Sequence, residues 1–495
     1  VATVVDLTPG SPRWWLQRLW KALEDQVPRY NLLAAYQGGD HRLPEGHNRA
    51  REAYRQFQRK ARSNYSGLVS NAVVERLQPI GFRTGSETTN ELDGEAWRIW
   101  QANHFDARCG QLLLAATSMS VAYVMVIPNP DDPTTPLWTL KDPRQTITES
   151  DPVAPDKIRA GLTWWDDEVD GLRHAWVILP DGIHEFTTKI PRRGGKTDPS
   201  RFVATLDDNG DEALLENASN PMVPLVPFVN RPGLDGDGMG EFEDVLDVQD
   251  RINSVILDRL VISKMQAYRQ RWVKGVDVED EDGVPQQPFR PGADLIWTVD
   301  DPNAAFGDFA PTDLTPLLKA ADDDVRDLAA ITRTPPHYLM GQMVNVSGDA
   351  LKAAESGLVS KVRDRMLHYG EAFEQVMRLT FNLRGEDLPV DAEVVWANPE
   401  FRTLSELYDA ASKAGPAGVP WRSRMELLGH TAQEIARMQT ERVEDALLMA
   451  AYPQLEPACT PVRYSAAAIP GDATNADQNH PAELTGGPPA GASQP

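Results

Sequence analysis

The stretch Thr334-Pro335-Pro336-His337-Tyr338-Leu339-Met340-Gly341-Gln342-Met343-Val344-Asn345-Val346-Ser347-Gly348 separates two long helical patterns, with an apolar middle and a breaker at each end. The paired prolines stop the first helix, because each lacks an amide donor and biases the residue before it toward extended backbone. Ser347 with Asp349 starts the second, since a hydroxyl or carboxylate accepts from free N-terminal amides and the dipole favours an acid there. Met343, Val344 and Val346 are core-type residues where a short connection is expected to be polar. Two readings stand: a buried connector, or a loop presented to something large and repetitive, such as a nucleic acid moving past.

Helices flank this stretch at 314–331 and 350–383. In the second, Leu351, Ala354, Leu358, Val362, Met366, Tyr369, Phe373, Val376 and Thr380 step by three or four, and at 1.5 Å per residue it reaches ~50 Å. A further helix is predicted over 241–270, with Phe242, Val245, Leu246, Ile252, Ile256 and Leu260 on one side. Val248, Val255, Val261 and Ile262 widen that stripe, so more than one face wants burial, as in an interior helix or one wedged between subunits. Residues 271–311 read as a short β-like insert with an acidic turn, Glu279-Asp280-Glu281-Asp282-Gly283, and a strand over 294–299.

Toward the N-terminus, 13–62 is helical, Trp14, Trp15, Leu16, Leu19, Trp20 and Leu23 covering one face. Its second segment, 47–62, carries Arg49, Arg51, Arg55, Arg59, Lys60 and Arg62, a solvated face more often than a phosphate contact. A buried element is expected over 69–80 and a helix over 93–104, with Trp97 and Trp100 near one turn apart. Residues 112–127 are uncharged but too few for the ~20 apolar residues of a membrane span, and read as a buried helix leading into a strand at 121–127. Short apolar runs at 137–140, 162–165, 174–179, 184–188 and 202–206 predict a mostly antiparallel sheet. Pro180-Asp181-Gly182 and Asp208-Asn209-Gly210 serve as hairpin turns, and 221–232 as an extended, proline-punctuated crossing. At the far end a strand is expected over 393–396, helices over 403–414, 420–428 and 431–449, and a disordered tail over 460–495.

The chain of 495 residues has room for roughly three or four domain-sized units. Its 73 acidic against 49 basic residues give a formal charge of -24, which excludes tight whole-surface binding to DNA. The same acidity suits a surface along which DNA slides, because phosphate affinity comes chiefly from cations that release counterions. Cys109 and Cys459 are too few and too far apart for a disulfide framework or a metal site, and the first twenty residues carry no secretory signal.

Catalytic and cofactor motifs fail one at a time. Gly194-Gly195-Lys196-Thr197 lacks the P-loop's earlier glycine, Ile190 standing there, and Asp198-Pro199 follows where a helix should start. It reads as a basic hairpin tip. Asp235-Gly236-Asp237-Gly238-Met239-Gly240 lacks the acid that closes a calcium loop, Leu246 standing twelfth, and reads as a glycine hinge. The nine histidines lack zinc spacing, and no Gly-x-Ser-x-Gly elbow occurs. We therefore expect no catalytic residue, no metal and no cofactor.

Taken in order, several pieces resemble the portal (head-to-tail connector) proteins of long-tailed double-stranded-DNA bacteriophages. They are the run 71–81, Ile99-Trp100-Gln101-Ala102-Asn103, the passage ending Ser120-Val121-Ala122-Tyr123-Val124, the helix after Gly240, Ser347-Gly348-Asp349-Ala350-Leu351-Lys352, and Leu427-Leu428-Gly429-His430-Thr431 with its polar helix. Ala122 stands where such proteins often carry glycine. The resemblance implies an α+β portal fold with wing, stem, clip and crown, its long helices set around a central channel in a ring oligomer of about twelve copies. It divides the chain into a wing (1–232), a stem helix (233–270), a clip (271–312), a second stem helix (313–334), a channel loop (335–348), a long helix returning to the wing (349–400), a crown (401–459) and the tail (460–495). It implies DNA contact at Gln342, Met343, Val344, Asn345 and Val346, and docking through Glu279, Asp280, Glu281 and Asp282. Implied partners are the large terminase subunit, a head-tail adaptor, major capsid and scaffolding proteins, and double-stranded DNA in the channel, with no membrane. The place implied is the portal vertex of the virion, after assembly in the host cytoplasm. Another capsid-associated structural protein, or a cytoplasmic acidic hydrolase using the Asp-rich loops, are the alternatives.

Overall fold

The computed structural model describes residues 6–44, 52–83, 94–191, 195–206, 212–216, 222–267, 271–274, 302–303, 305–308, 310, 312–341, 348–386, 388, 392–400 and 404–451. In chain order the elements are α1 (Pro12–Gln37), α2 (Glu52–Ala61), α3 (Tyr65–Val74), β1 (Pro79–Arg83), α4 (Gly94–Ala102), α5 (Phe105–Met119), β2 (Val121–Ile127), β3 (Leu137–Lys141), β4 (Thr146–Ser150), β5 (Ile158–Asp167), β6 (Leu172–Ile178), β7 (Gly182–Lys189), β8 (Val203–Ala204), β9 (Leu214–Glu216) and β10 (Leu225–Val229). They continue with α6 (Leu246–Ala267), β11 (Arg271–Lys274), β12 (Ala305–Asp308), α7 (Thr315–Ile331), α8 (Pro336–Met340), α9 (Gly348–Leu383), β13 (Glu393–Trp396), α10 (Leu404–Ala414), α11 (Trp421–Leu427) and α12 (Ala432–Ala451). The chain divides into two compact units, Val1–Met438 and Gln439–Pro495. The second is described only over 439–451, all of it helical.

In the first unit α1 is capped by Ser11, whose hydroxyl accepts from the Trp14 amide, and proline occupies its first turn, where no amide donor is needed. Its apolar face, Leu16, Leu19, Trp20 and Leu23, packs on Leu162, Ala175, Val177, Phe186 and Phe202 of the largest sheet and the turn beside it. That sheet runs β4-β5-β6-β7-β8 with β9 also on β7, every pair antiparallel. The expected turn at Pro180-Asp181-Gly182 joins β6 to β7, the Leu179 amide donating to the Gly182 carbonyl at 2.9 Å. Asp208-Asn209-Gly210 lies outside the described residues, but Leu206 and Glu212 bridge across it.

The uncharged run 112–127 divides as expected into the end of α5 and β2. Its polar members are satisfied locally: Thr117 and Ser118 hydroxyls donate to the carbonyls of Leu113 (2.8 Å) and Leu114 (2.6 Å) one turn back. Among the described residues no helix is long and apolar enough to cross a membrane. The proline-punctuated stretch is more than a crossing: Leu225–Val229 is β10, pairing antiparallel with β2 in the order β10-β2-β3. Pro227 is tolerated because β10 is an edge strand, where a missing amide need break no ladder bond. The buried element at 69–80 resolves into the end of α3 and the start of β1, which pairs with β13.

The main core forms where α9 lays Leu358, Val362, Met366, Tyr369, Phe373 and Val376 against α4, α5 and the β2 sheet. Trp100 meets Phe373 edge-on at 5.5 Å, and Trp138 Nε1 donates to Thr380 Oγ1 at 2.8 Å. One correction concerns the opening stretch. Residues 336–340 are a single helical turn, α8, with Leu339 buried, because a proline that stops one helix fits the first position of the next. Only Leu339 of this turn is buried, Pro336 being exposed and the other three half-buried, so 336–340 is a helical turn seated on the core through one side chain.

Candidate functional site

The antiparallel helices α6 and α7 and the β11–β12 hairpin between them form the first part of the site. Its root is polar and tightly specified. Gln249 Oε1 accepts from the Tyr65 and Ser66 amides at 3.0 and 3.2 Å, satisfying donors at the free start of α3, while its Nε2 donates to the Ser63 carbonyl. Tyr36 donates to Asp250 at 2.8 Å, and Arg251 bridges to Asp324 on α7. Farther out the packing thins. Ile252 and Leu257 are buried, but Val255, Leu260, Val261 and Ile262 are only half covered, and Leu318 on α7 is 44% exposed. Gln266 Nε2 still donates to the Thr312 carbonyl at 3.0 Å, closing the base of the hairpin. The backbone register of β11 on β12 sets residue 271 opposite 308 and residue 274 opposite 305, while Glu279, Asp280, Glu281 and Asp282 lie outside the described residues.

The second part is the root of the stretch 341–348. Arg76, in the turn just after α3, donates to the Tyr338 hydroxyl at 2.7 Å, to Glu355 of α9 at 3.1 Å and to the Pro399 carbonyl at 2.8 Å. His337 Nε2 lies 3.5 Å from the other oxygen of Glu355. The turn before the loop and an early turn of the helix after it are thus fastened to one guanidinium. Gln342, Met343, Val344, Asn345 and Val346 lie outside the described residues, as does Ser347.

A buried ionic cluster joins these parts. Glu241, 3% exposed, sits between Lys361 (3.3 Å) and Arg365 (2.6 Å), two cations one turn apart on α9. Lys361 also donates to the Thr332 carbonyl at the end of α7, at 2.8 Å. Burial alone would raise the Glu241 pKa, but the two cations outweigh it and hold the carboxyl below its usual range. Burial lowers the Lys361 pKa, and repulsion from the like charges of Arg365 and Arg231 adds to this, even though Glu241 opposes it. Nearby, Tyr369 donates to Asn230 at 2.9 Å and Asn230 to the Met239 carbonyl at 2.6 Å, fixing the glycine-rich turn. The glycines there serve close packing rather than a hinge, since a Cβ on Gly238 would lie 2.4 Å from the Ser120 carbonyl oxygen and one on Gly240 2.7 Å from that of Ser118.

Sequence reading missed Arg76, Glu241, Glu355, Lys361 and Arg365. The signal was present: Lys361 and Arg365 interrupt the apolar stripe of α9 at positions beside Val362 and Met366. Other candidates resolve into structural roles. Thr197 of the failed P-loop accepts from Arg173, and Asp198 caps a three-residue 3-10 turn at Pro199–Arg201 rather than a longer helix. Among the described residues Asp167, Asp170 and His174 gather closely enough to ligate a metal. His174 is already held between Asp170 (2.8 Å) and Glu185 (2.9 Å) and stacked on Trp165, and both aspartates accept turn amides, so this is a hairpin clasp.

A mixed helix-and-sheet chain with incompletely covered long helices and ion pairs spent on fastening them has the character of a structural protein built for assembly. The chain belongs to the phage portal protein family described as SPP1 Gp6-like, whose model matches residues 16–446. It is 27% identical over 408 residues to the portal protein of Mycobacterium phage D29, covering 78% of this chain and 80% of that one. With the portal protein of Mycobacterium phage L5 it shares 26% identity over 415 residues, again 78% and 80% of the two chains. A solved chain from the neck of an empty GTA particle, computed with C6 symmetry, matches at a TM-score of 0.40 and 11% identity over 76% of this chain and 90% of its own.

Proposed function

We propose that about twelve copies close into a ring at the capsid vertex, an isologue-free cyclic arrangement in which each subunit presents the same two faces to its neighbours. The observation that carries this reading is the half-covered apolar surface of α6, Val255, Leu260, Val261 and Ile262, on a helix too apolar for solvent on every side. In this reading α6 and α7 are the stem, β11–β12 begins the clip, α9 runs beneath the wing and α10 to α12 build the crown. Glu279 to Asp282 dock the large terminase subunit during packaging and the head-tail adaptor afterwards. Gln342, Met343, Val344, Asn345 and Val346 touch DNA through soft, largely uncharged surface. Capsid and scaffolding proteins meet the ring during assembly in the host cytoplasm.

The chain's role is conduit and platform, with ATP hydrolysis in a separate motor, because its nearest approach to a P-loop lacks both the glycine and the helix such a site needs. The acidic-hydrolase reading fares worse, since Asp235 is occupied in accepting the Asp237 amide within the glycine turn. Substituting Val255 and Ile262 by Asp tests the reading. Sedimentation should then show subunits in place of rings with the fold retained, whereas intact rings would count against this face as the interface.

A further inference from the structure

The polar root of α6 closes over His41, in the connection after α1, which is 2% exposed and stacked on Tyr36 with ring centroids 4.7 Å apart. Its Nε2 lies 2.7 Å from Nδ2 of Asn253, itself fully buried. The groups around that bond fix its direction. The Ser63 amide can only donate, so the Asn253 atom 2.9 Å from it is Oδ1, which also accepts from Gln249 Nε2 at 3.3 Å. Gln249 cannot be turned round either, because its Oε1 meets the Tyr65 and Ser66 amides. Asn253 Nδ2 therefore faces His41, and the imidazole nitrogen opposite must accept. Neutral His41 then carries its one proton on Nδ1, which is buried with no hydrogen-bond partner among the described residues.

We propose that His41 is a proton-sensitive pin at the root of α6: neutral, it accepts from Asn253 and ties α6 to the connection after α1; protonated, it sets an N–H against the Asn253 amide and releases that tie. The groups around the ring give the direction. Tyr36 of α1 covers one face and donates to Asp250 of α6, Asp40 precedes the ring in the chain, and Arg62, just beyond α2, pairs with Asp40. Burial and the Arg62 charge hold His41 below the usual histidine range, against the pull of Asp250 and Asp40. His174 is the contrast: burial opposes its charge, but Glu185 and Asp170 outweigh burial and push it up. Stability contributed by neutral His41 is therefore complete above the ordinary histidine pKa of 6.5 and declines as pH falls from there toward the depressed folded value, because the opened state takes the proton first. The inference concerns how α6 is anchored within one chain and stands without the ring.

Hydrogen exchange of the full-length protein tests this, read by mass spectrometry on peptides spanning 63–66 and 249–253 and corrected for the intrinsic pH dependence of exchange. Between about pH 7.5 and about pH 5.5 the wild type should lose protection by about threefold to tenfold, the upper figure being the ratio of protonated to neutral histidine one unit below its ordinary pKa. His41→Gln, whose carbonyl can accept from Asn253 and does not titrate, should keep its protection at both. Asn253→Asp should reverse the sign, since a carboxylate still accepts from the Ser63 amide and gains a charged partner when His41 takes a proton. A wild type flat in pH, a His41→Gln variant with the same pH dependence, or an Asn253→Asp variant that still loses protection in acid would each overturn the proposal. If His41→Gln fails to fold, the sign in Asn253→Asp decides alone.

Discussion

At Glu241 the fold encloses a carboxylate between two cations, and the cost of stranding either partner is large. Removing one side of a buried pair typically costs about 3–5 kcal/mol, so Arg365→Ala should lower the unfolding free energy by that order, measured by urea denaturation. The pH dependence follows from the lowered Glu241 pKa. Its stabilisation is fully present above the ordinary carboxylate pKa and is lost as pH falls through the depressed folded value. The stability gap between wild type and Glu241→Gln should therefore shrink on acidification below about pH 4.3, and a gap that stayed constant would sink the assignment. Gly238→Ala should cost about 1–3 kcal/mol, since its Cβ meets a backbone carbonyl that no rotamer change can move aside. None of this was legible as chemistry in the sequence. Lys361 and Arg365 drew no reading there, and Glu241 became their partner only when the chain folded across more than a hundred residues.

The helices were the most legible elements, because the 3.6-residue period survives in a single sequence and α9 buries one continuous face. Strands were legible where apolar and polar residues alternate, as in β5 to β7, but β9 was missed because three residues carry too little pattern. Residues 336–340 were misread because proline ends a helix and begins one equally well. The loop's two ends are fastened by Arg76 and Glu355, so deleting residues 342–346 should leave assembly intact while slowing DNA packaging in an in vitro reaction. Unchanged packaging would remove the loop from the mechanism. Charge reversal across Glu279, Asp280, Glu281 and Asp282 should weaken capture of the large terminase subunit in a pull-down, and undiminished capture would detach the docking role from that turn.

Over the complete chain the order of weak signals mattered more than any single motif. Trp100 near Asn103, the helix-to-strand corner at Ser120, the glycine turn before Glu241 and the long helix after Gly348 each occur in many folds, yet in this order they marked the family. The site was harder to find, because in the proposed ring the working surface would be completed by neighbouring copies, and one sequence records only that the apolar residues of α6 are many. The central claim is that copies of this chain close around an open axis. Negative-stain electron microscopy of the purified protein tests it most directly: the account predicts end-on views of rings with a stain-filled centre, and a field of separate compact particles at every protein and salt concentration would contradict it.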